Sequence, residues 1–125
     1  MTRRSPLETK TVKKILAALR SRGAYVNKTH GSPLVTRGIP DITGCYKGYY
    51  LALEVKRDSS GKPTPLQLFN IHEIRKAGGH AWVAWSVPQA LQALKILDKI
   101  TQKEGASPGG GYPTKPQNDQ ASPTD

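Results

Sequence analysis

The chain has 125 residues and a formal net charge of +10, with 19 Lys and Arg against 9 Asp and Glu. This length accommodates one domain and excludes two of ordinary size. The charge favours a polyanion as partner, although solubility alone also accounts for a basic surface. Cys45 is the only cysteine, so an internal disulfide is excluded, and we expect a packed thiol rather than a zinc ligand.

The composition of the two ends of the chain indicates where the folded part lies. The start carries charges with no apolar run behind them, which is not typical of a signal peptide, and no segment is apolar enough to span a membrane. We therefore expect a soluble, intracellular protein. Gly, Pro, Ser, Gln and Asn dominate residues 105–125, which predicts a disordered tail after a domain covering residues 1–104. Without the tail's one Lys and two Asp, the folded part carries 18 basic and 7 acidic side chains, or +11.

The first element is a helix predicted from about Pro6 to Arg22, with Gly23 as its stop signal. Glu8 lies on its inward face, where a carboxylate needs a partner or a metal ion, unless it only caps the first turn. The apolar positions that define this face recur at helical spacing, at Val12, Ile15, Leu16 and Leu19.

A short strand and then a β-hairpin follow this helix. The short strand runs from Ala24 to Thr29, and we expect Tyr25 to be packed, with Val26 as a further candidate. The first strand of the hairpin begins at Asp41, Lys47-Gly48 forms the turn, and the second strand ends at Lys56.

The second strand of the hairpin carries polar groups at its far end. Because side chains alternate along a strand, Glu54 and Lys56 share one face. Asp41 lies at the same open end, after Pro40, which either forms a turn or provides a rigid mount for the carboxylate. The opposite face of the second strand is apolar, with Tyr49, Leu51, Leu53 and Val55.

Three further elements complete the predicted fold. Thr64 caps a helix running from Pro65 to about Ala77, and Gln67 in its first turn either supports a site or faces solvent. A central strand covers His80 to Trp85, and Ser86 opens a last helix that ends near Lys103. The order of elements predicts an α/β fold with a mixed β-sheet flanked by helices on both faces, the last two strands being parallel.

The open end of the hairpin suits a divalent cation held against a phosphate. Mg²⁺ takes oxygen ligands, which Asp41, Glu54 and the backbone carbonyl of Val55 can supply. Such an ion would polarise a phosphodiester, orient a water and stabilise the leaving oxygen. Lys56 would stabilise the transition state electrostatically rather than act as a base, since carboxylates beside it favour its charged form. An ordinary Glu–Lys pair on a solvated strand is the alternative explanation.

These motifs together resemble the VRR-NUC (virus-type replication–repair nuclease) family of the PD-(D/E)xK nuclease superfamily. The matching segments are Arg37-Gly38-Ile39-Pro40-Asp41, Glu54-Val55-Lys56-Arg57, Thr64-Pro65-Leu66-Gln67 and residues 77–83. The resemblance extends over nearly the whole folded part, roughly from Glu8 to Ser86. It implies a restriction-endonuclease-like core and cleavage of DNA that depends on Mg²⁺ or Mn²⁺.

The resemblance also implies roles for individual residues. Asp41 and Glu54 become metal ligands, Lys56 the catalytic lysine, Gln67 a supporting residue, and Glu8 the helical acidic residue that completes the site. It further implies a homodimer and, through phage-type replication and repair, the cytoplasm of a bacterial or phage-infected cell. Because no recognition helix or reader domain is evident, we predict action on branched, flapped or junction DNA. Phosphate contacts read no sequence, and the candidates for making them are Lys28, His30, Arg37, Arg57 and Lys62.

Two other functions are compatible with the sequence. The charge of the folded part also fits a non-catalytic nucleic-acid-binding module on the same fold. Alternatively, the tail could be the functional part of an interaction protein. Metal-dependent cleavage that requires Lys56 and not the tail distinguishes the nuclease from both.

Overall fold

Three helices and four strands make up the part of the chain that the computed structural model describes, residues 6–29, 37–57 and 60–104. The tail predicted for residues 105–125, and His30, lie outside the described residues. In chain order the elements are α1 (Pro6–Ser21), β1 (Tyr25–Lys28), β2 (Ile42–Tyr46), β3 (Tyr49–Val55), α2 (Pro65–Lys76), β4 (His80–Ala84) and α3 (Val87–Glu104). None of the described helices is long and apolar enough for a bilayer crossing.

The strands form one mixed sheet in the order β1-β2-β3-β4. The first three are antiparallel neighbours, whereas β3 and β4 are parallel and joined through α2, so the predicted mixed sheet is confirmed. Lys47 and Gly48 both have positive φ, of 51° and 89°, as a two-residue hairpin turn requires. The turn is therefore at the predicted position.

Helices cover both faces of the sheet, also as predicted. On one face, α1 and α3 bury the larger core, to which β3 contributes Tyr49, Leu51, Leu53 and Val55. On the other face, a smaller cluster of Ala52, Ile71 and Ala81 seats α2 against β3 and β4. Glu54 lies between Leu53 and Val55, so its side chain is on the α2 face.

Two predictions of packed side chains are wrong. Tyr25 is 71% exposed, and Cys45 is also exposed. These two residues are register partners on β1 and β2, and α2 is seated over β3 and β4, leaving their shared face open. In β1 it is Val26, 1% exposed, that enters the core.

Candidate active site

Two buried carboxylates lie side by side at one end of the hairpin. Ile42 of β2 pairs with Leu53 of β3, so Asp41 lies next to Glu54 at the following position. Their exposed fractions are 7% and 2%. No other Asp, Glu, Lys or Arg side chain in the described part of the chain is buried to this degree. Because burying a charge costs free energy, such a pair requires compensating contacts.

Backbone groups hold Asp41 from two directions. The Val55 N–H donates to Oδ2 of Asp41 at 2.8 Å, and the Thr29 N–H donates to its carbonyl oxygen at 2.7 Å. Pro40, just before it, is fully buried. Asp41 is therefore fixed by β3 on one side and by the end of β1 on the other, which supports the interpretation of Pro-Asp as a rigid mount.

Lys56 lies on the same face as Glu54, as the alternation of side chains predicts. Its Nζ is 3.5 Å from Oε2 of Glu54, and the exposed fraction of the lysine side chain is 12%. That separation is longer than the 2.7–2.9 Å or so of a tight charge-assisted hydrogen bond. The Lys56 N–H donates to the carbonyl of Ala84 at 3.0 Å, so the backbone stays tied to β4 while the ammonium lies beside Glu54.

Gln67 has a structural role that the sequence analysis did not assign to it. Its N–H donates to the Thr64 hydroxyl at 3.1 Å, and its Oε1 accepts the Thr64 N–H at 2.8 Å. The two residues thus form a reciprocal capping box at the start of α2. The amide oxygen is committed to the cap, and the remaining NH₂ group is the part of Gln67 that can act on a substrate.

Glu8 is half-buried in the first turn of α1, on the side of the core. Among the described residues, no three His, Cys, Asp or Glu side chains form a group that could hold a metal ion. Metal ligation by Glu8 stays a prediction.

Several of the predicted phosphate-binding residues flank the site residues in the chain. Lys28 precedes Thr29, Arg37 precedes the segment leading to Asp41, and Arg57 follows Lys56. All three side chains are exposed, as is that of Lys62. Exposed basic side chains can contact a phosphate chain at the surface without the burial of a charge.

Two residues that sequence reasoning missed fix the segments on either side of the site. Nδ2 of Asn70 on α2 donates to the Arg37 carbonyl at 3.2 Å and holds the segment before Asp41. Nε1 of Trp85 donates to the Gly61 carbonyl at 2.8 Å and holds the segment after Arg57. Neither contact has a sequence signal, since both join residues that are far apart in the chain.

The donor set suits a small divalent cation. Two carboxylates from neighbouring strands offer hard oxygen atoms, and the adjoining Val55 carbonyl is a third candidate donor. Mg²⁺ is commonly held by one or two carboxylates together with water and substrate phosphate. Two neighbouring buried carboxylates also create a negative potential that attracts a cation. The residues therefore fit such an ion.

Comparison with known proteins gives several similar solved structures, two of which are described as VRR_NUC domains. No protein-family model and no curated protein matches the chain. A structure described as a VRR_NUC domain aligns with a TM-score of 0.62 and 26% identity, over 73% of this chain and 97% of that one. Another, described as a VRR_NUC domain protein, aligns with a TM-score of 0.55 and 19% identity, over 84% and 93%. The second likeness is one of fold, and together they confirm an α/β, restriction-endonuclease-like core.

Proposed function

Since the chain is a VRR-NUC domain protein, and thus a domain of nuclease type, we propose that it hydrolyses phosphodiester bonds of DNA with a divalent metal ion. The observation that carries this proposal is the pair of buried carboxylates, Asp41 and Glu54, with Lys56 Nζ 3.5 Å from Glu54. A purely structural ion pair needs only one carboxylate. A second one, mounted beside it by backbone hydrogen bonds, is the arrangement that a cation requires.

Each residue then has a defined task. Asp41 and Glu54 hold Mg²⁺ or Mn²⁺, with the Val55 carbonyl as a further oxygen ligand and Glu8 as the contribution of α1. The bound ion would polarise the phosphodiester and stabilise charge on the leaving oxygen. Lys56 stabilises the negative charge that develops on the phosphate as water attacks. The NH₂ group of Gln67 orients the substrate at the start of α2.

Basic side chains around the site position the nucleic acid. Their contacts to phosphates supply affinity without reading sequence. We therefore assign selectivity for DNA structure, namely flaps, forks or junctions. The residues concerned are Lys28, His30, Arg37, Arg57 and Lys62.

A homodimer is part of this proposal. Two copies would present two carboxylate sites to the arms of one branched molecule, which a single copy cannot do. Sedimentation velocity tests it directly, since a dimer has twice the chain mass of 13.6 kDa. A single species at the monomer mass, with and without DNA, contradicts it.

The nuclease itself is tested by incubation with forked, flapped, nicked and four-way DNA in Mg²⁺, Mn²⁺ or EDTA. We expect cleavage of at least one substrate with either metal, none in EDTA, and none by the Lys56→Ala variant. A matched control is Lys47→Ala, which removes an exposed lysine at the other end of the hairpin. Full activity of Lys56→Ala contradicts the proposal.

The excess of basic side chains supports a second candidate, a non-catalytic binding module on the same fold. It predicts salt-sensitive DNA binding that is indifferent to EDTA and unchanged in Asp41→Asn. Metal-dependent cleavage that is lost in Asp41→Asn rules it out.

A further inference from the structure

Two exposed tyrosines stand in one row across the sheet, on the face that carries the carboxylates. Tyr25 of β1 pairs with Cys45 of β2, which in turn pairs with Tyr50 of β3. Directly paired residues share a face, and the two tyrosines are 71% and 46% exposed. Glu54 is four residues beyond Tyr50 and therefore on the same face, about 13 Å away. We call Tyr25 and Tyr50 the tyrosine row.

An open lane connects the tyrosine row to the active site. The next register positions towards the carboxylates are Asn27, Thr43 and Ala52. α2 covers Ala52, whereas Asn27 is exposed and Thr43 half-buried. Small and neutral side chains thus form the floor of the lane. Such a floor suits the edges and faces of nucleobases better than it suits an aliphatic protein surface.

The charges around the lane favour a polyanion. Between Tyr25 and Arg57, the only acidic residues are the two carboxylates of the site. The same stretch contains five lysines and arginines, namely Lys28, Arg37, Lys47, Lys56 and Arg57. A strand of nucleic acid that reaches the carboxylates along this lane would meet no acidic side chain of β1, β2 or β3 before the site itself.

The Tyr50 ring is held in a defined position. A Cβ on Gly79 would lie 2.9 Å from Cδ2 of Tyr50 and 2.8 Å from Cγ2 of Ile74, so the absence of a side chain there leaves room for the ring. Partial burial raises the pKa of Tyr50, and its phenol is therefore neutral at physiological pH and does not repel phosphate.

From this arrangement we infer that the tyrosine row is a stacking site for the bases of an unpaired DNA strand leading into the active site. The inference rests on the proposed nuclease function and assigns its selectivity to two residues. The rings are two strand spacings apart, about 9.6 Å, so each contacts a different base. Stacking on aromatic rings is tolerant of sequence, and the row would therefore distinguish flaps and overhangs from blunt duplex.

The test measures binding of the full chain to two labelled oligonucleotides of equal length in EDTA, where cleavage cannot interfere. One is oligothymidylate, and the other carries the same phosphates on abasic sites. We expect the wild type to prefer the strand with bases. Tyr25→Leu and Tyr50→Leu should each weaken binding to oligothymidylate by about tenfold and leave the abasic strand unaffected. Tyr25→Phe and Tyr50→Phe should retain the preference, because they retain the ring.

The control variant is Phe69→Leu, which removes a 56% exposed aromatic ring from α2, outside the row. It should bind both strands as the wild type does. Equal affinity of the wild type for the two strands overturns the inference, as does unchanged binding by both Tyr→Leu variants. A change from dimer to monomer in Tyr25→Leu, with binding unchanged, also overturns it, since the row would then contact a second copy of the chain.

Failure of this inference and failure of the nuclease proposal are separable. Cleavage that depends on Lys56, combined with binding indifferent to the tyrosines, removes the stacking site and leaves the nuclease. Base-dependent binding without cleavage in any metal supports the row and contradicts the nuclease.

Discussion

The backbone N–H of Val55 donates to Oδ2 of Asp41 at 2.8 Å, so the strand that carries Glu54 also fixes the carboxylate beside it. The contact replaces part of the solvation that Asp41 loses on burial. Lys56 Nζ lies 3.5 Å from Oε2 of the neighbouring Glu54. The fold thus holds two negative charges next to each other. This arrangement lowers the stability of the protein, but it is suited to binding a cation.

Asp41→Asn separates these two effects. The amide keeps the size of the side chain and an acceptor for the Val55 N–H, but removes one negative charge beside Glu54. In EDTA we expect the variant to be more stable than the wild type, by about 0.5–2 kcal/mol. Addition of Mg²⁺ should raise the unfolding temperature of the wild type and not that of the variant, because only the wild type binds the ion strongly.

Thermal unfolding monitored by circular dichroism at increasing Mg²⁺ concentrations measures both effects. A substitution of Asn70 is not a suitable control, because Asn70 holds the segment before Asp41. Glu73→Gln is the suitable control, since Glu73 is on the exposed part of α2 and should leave the response to Mg²⁺ intact. A wild type that is indifferent to Mg²⁺, or a variant that responds equally, contradicts this prediction.

Lys56→Met tests the role of the ammonium. Methionine fills the volume of the lysine stem, so the packing is largely preserved, while the charge that stabilises the reacting phosphate is lost. We expect cleavage to fall by about 100-fold or more, with DNA affinity in EDTA reduced far less. Lys56→Arg should also be impaired, because a planar fork does not replace a compact ammonium. Single-turnover cleavage measures this effect, with Lys47→Met as the control. A Lys56→Met variant that cleaves at the wild-type rate would contradict the prediction.

The fold was predictable because its local signals agree with one another. Turn residues at Lys47-Gly48, a helical apolar period in α1 and an N-cap residue at Thr64 all point to the arrangement observed. Adjacency of Asp41 and Glu54 followed from the hairpin register. What the sequence could not give was the coverage of the sheet, because this depends on where α2 is seated. That is why Tyr25 and Cys45 were expected to be packed and are exposed.

The long-range contacts of the site were equally beyond the sequence. The sequence around Gln67 does not distinguish a capping residue from one that contacts a substrate. Only the structure shows that Oε1 of Gln67 accepts the Thr64 N–H. Asn70 carries no signal for its contact with the Arg37 carbonyl 33 residues away. The periodicity of apolar residues predicts which side of a helix or strand faces inward. It does not predict which residues from distant parts of the chain that side will contact.

Gly38→Ala should disturb the active site through the segment before Asp41. Gly38 has a φ of +80°, and an added Cβ would lie 2.7 Å from Cγ of Leu66 and 2.8 Å from Nδ2 of Asn70. The substitution therefore combines backbone strain with a clash against α2. We expect a loss of stability of about 2–3 kcal/mol together with reduced cleavage, measured by chemical denaturation and by initial rates.

Gly78→Ala is the matched control for this substitution. Gly78 has a similar φ of +97°, but no atom lies within 4 Å of its added Cβ. It should cost only the backbone strain, about 1–2 kcal/mol, and leave cleavage unchanged. Equal effects of the two substitutions on stability and on cleavage would show that the contact between Gly38 and α2 is unimportant.

Asp98 gives the fold a pH dependence that is independent of the active site. Its Oδ1 is 2.7 Å from Nζ of Lys47 and accepts the Tyr46 hydroxyl at 2.8 Å, joining the hairpin turn to α3. Hydrogen bonds from Lys47 and then Tyr46 hold the pKa of Asp98 below its ordinary value of 3.8. Because the folded-state pKa is the lower one, the stabilisation is present above pH 4 or so and is lost as the pH falls through the folded-state pKa.

Asp98→Asn should therefore unfold at a lower temperature than the wild type at pH 7, and the difference should shrink as the pH falls below about 4. At that point the wild-type carboxyl is protonated and resembles the amide. Glu73→Gln removes a 3.4 Å ion pair with Lys76 whose side chains are 44% and 61% exposed, and it should change stability little at any pH. Unfolding temperatures measured from pH 2 to 8 test this, and a difference for Asp98→Asn that persists unchanged at pH 2 contradicts the assignment.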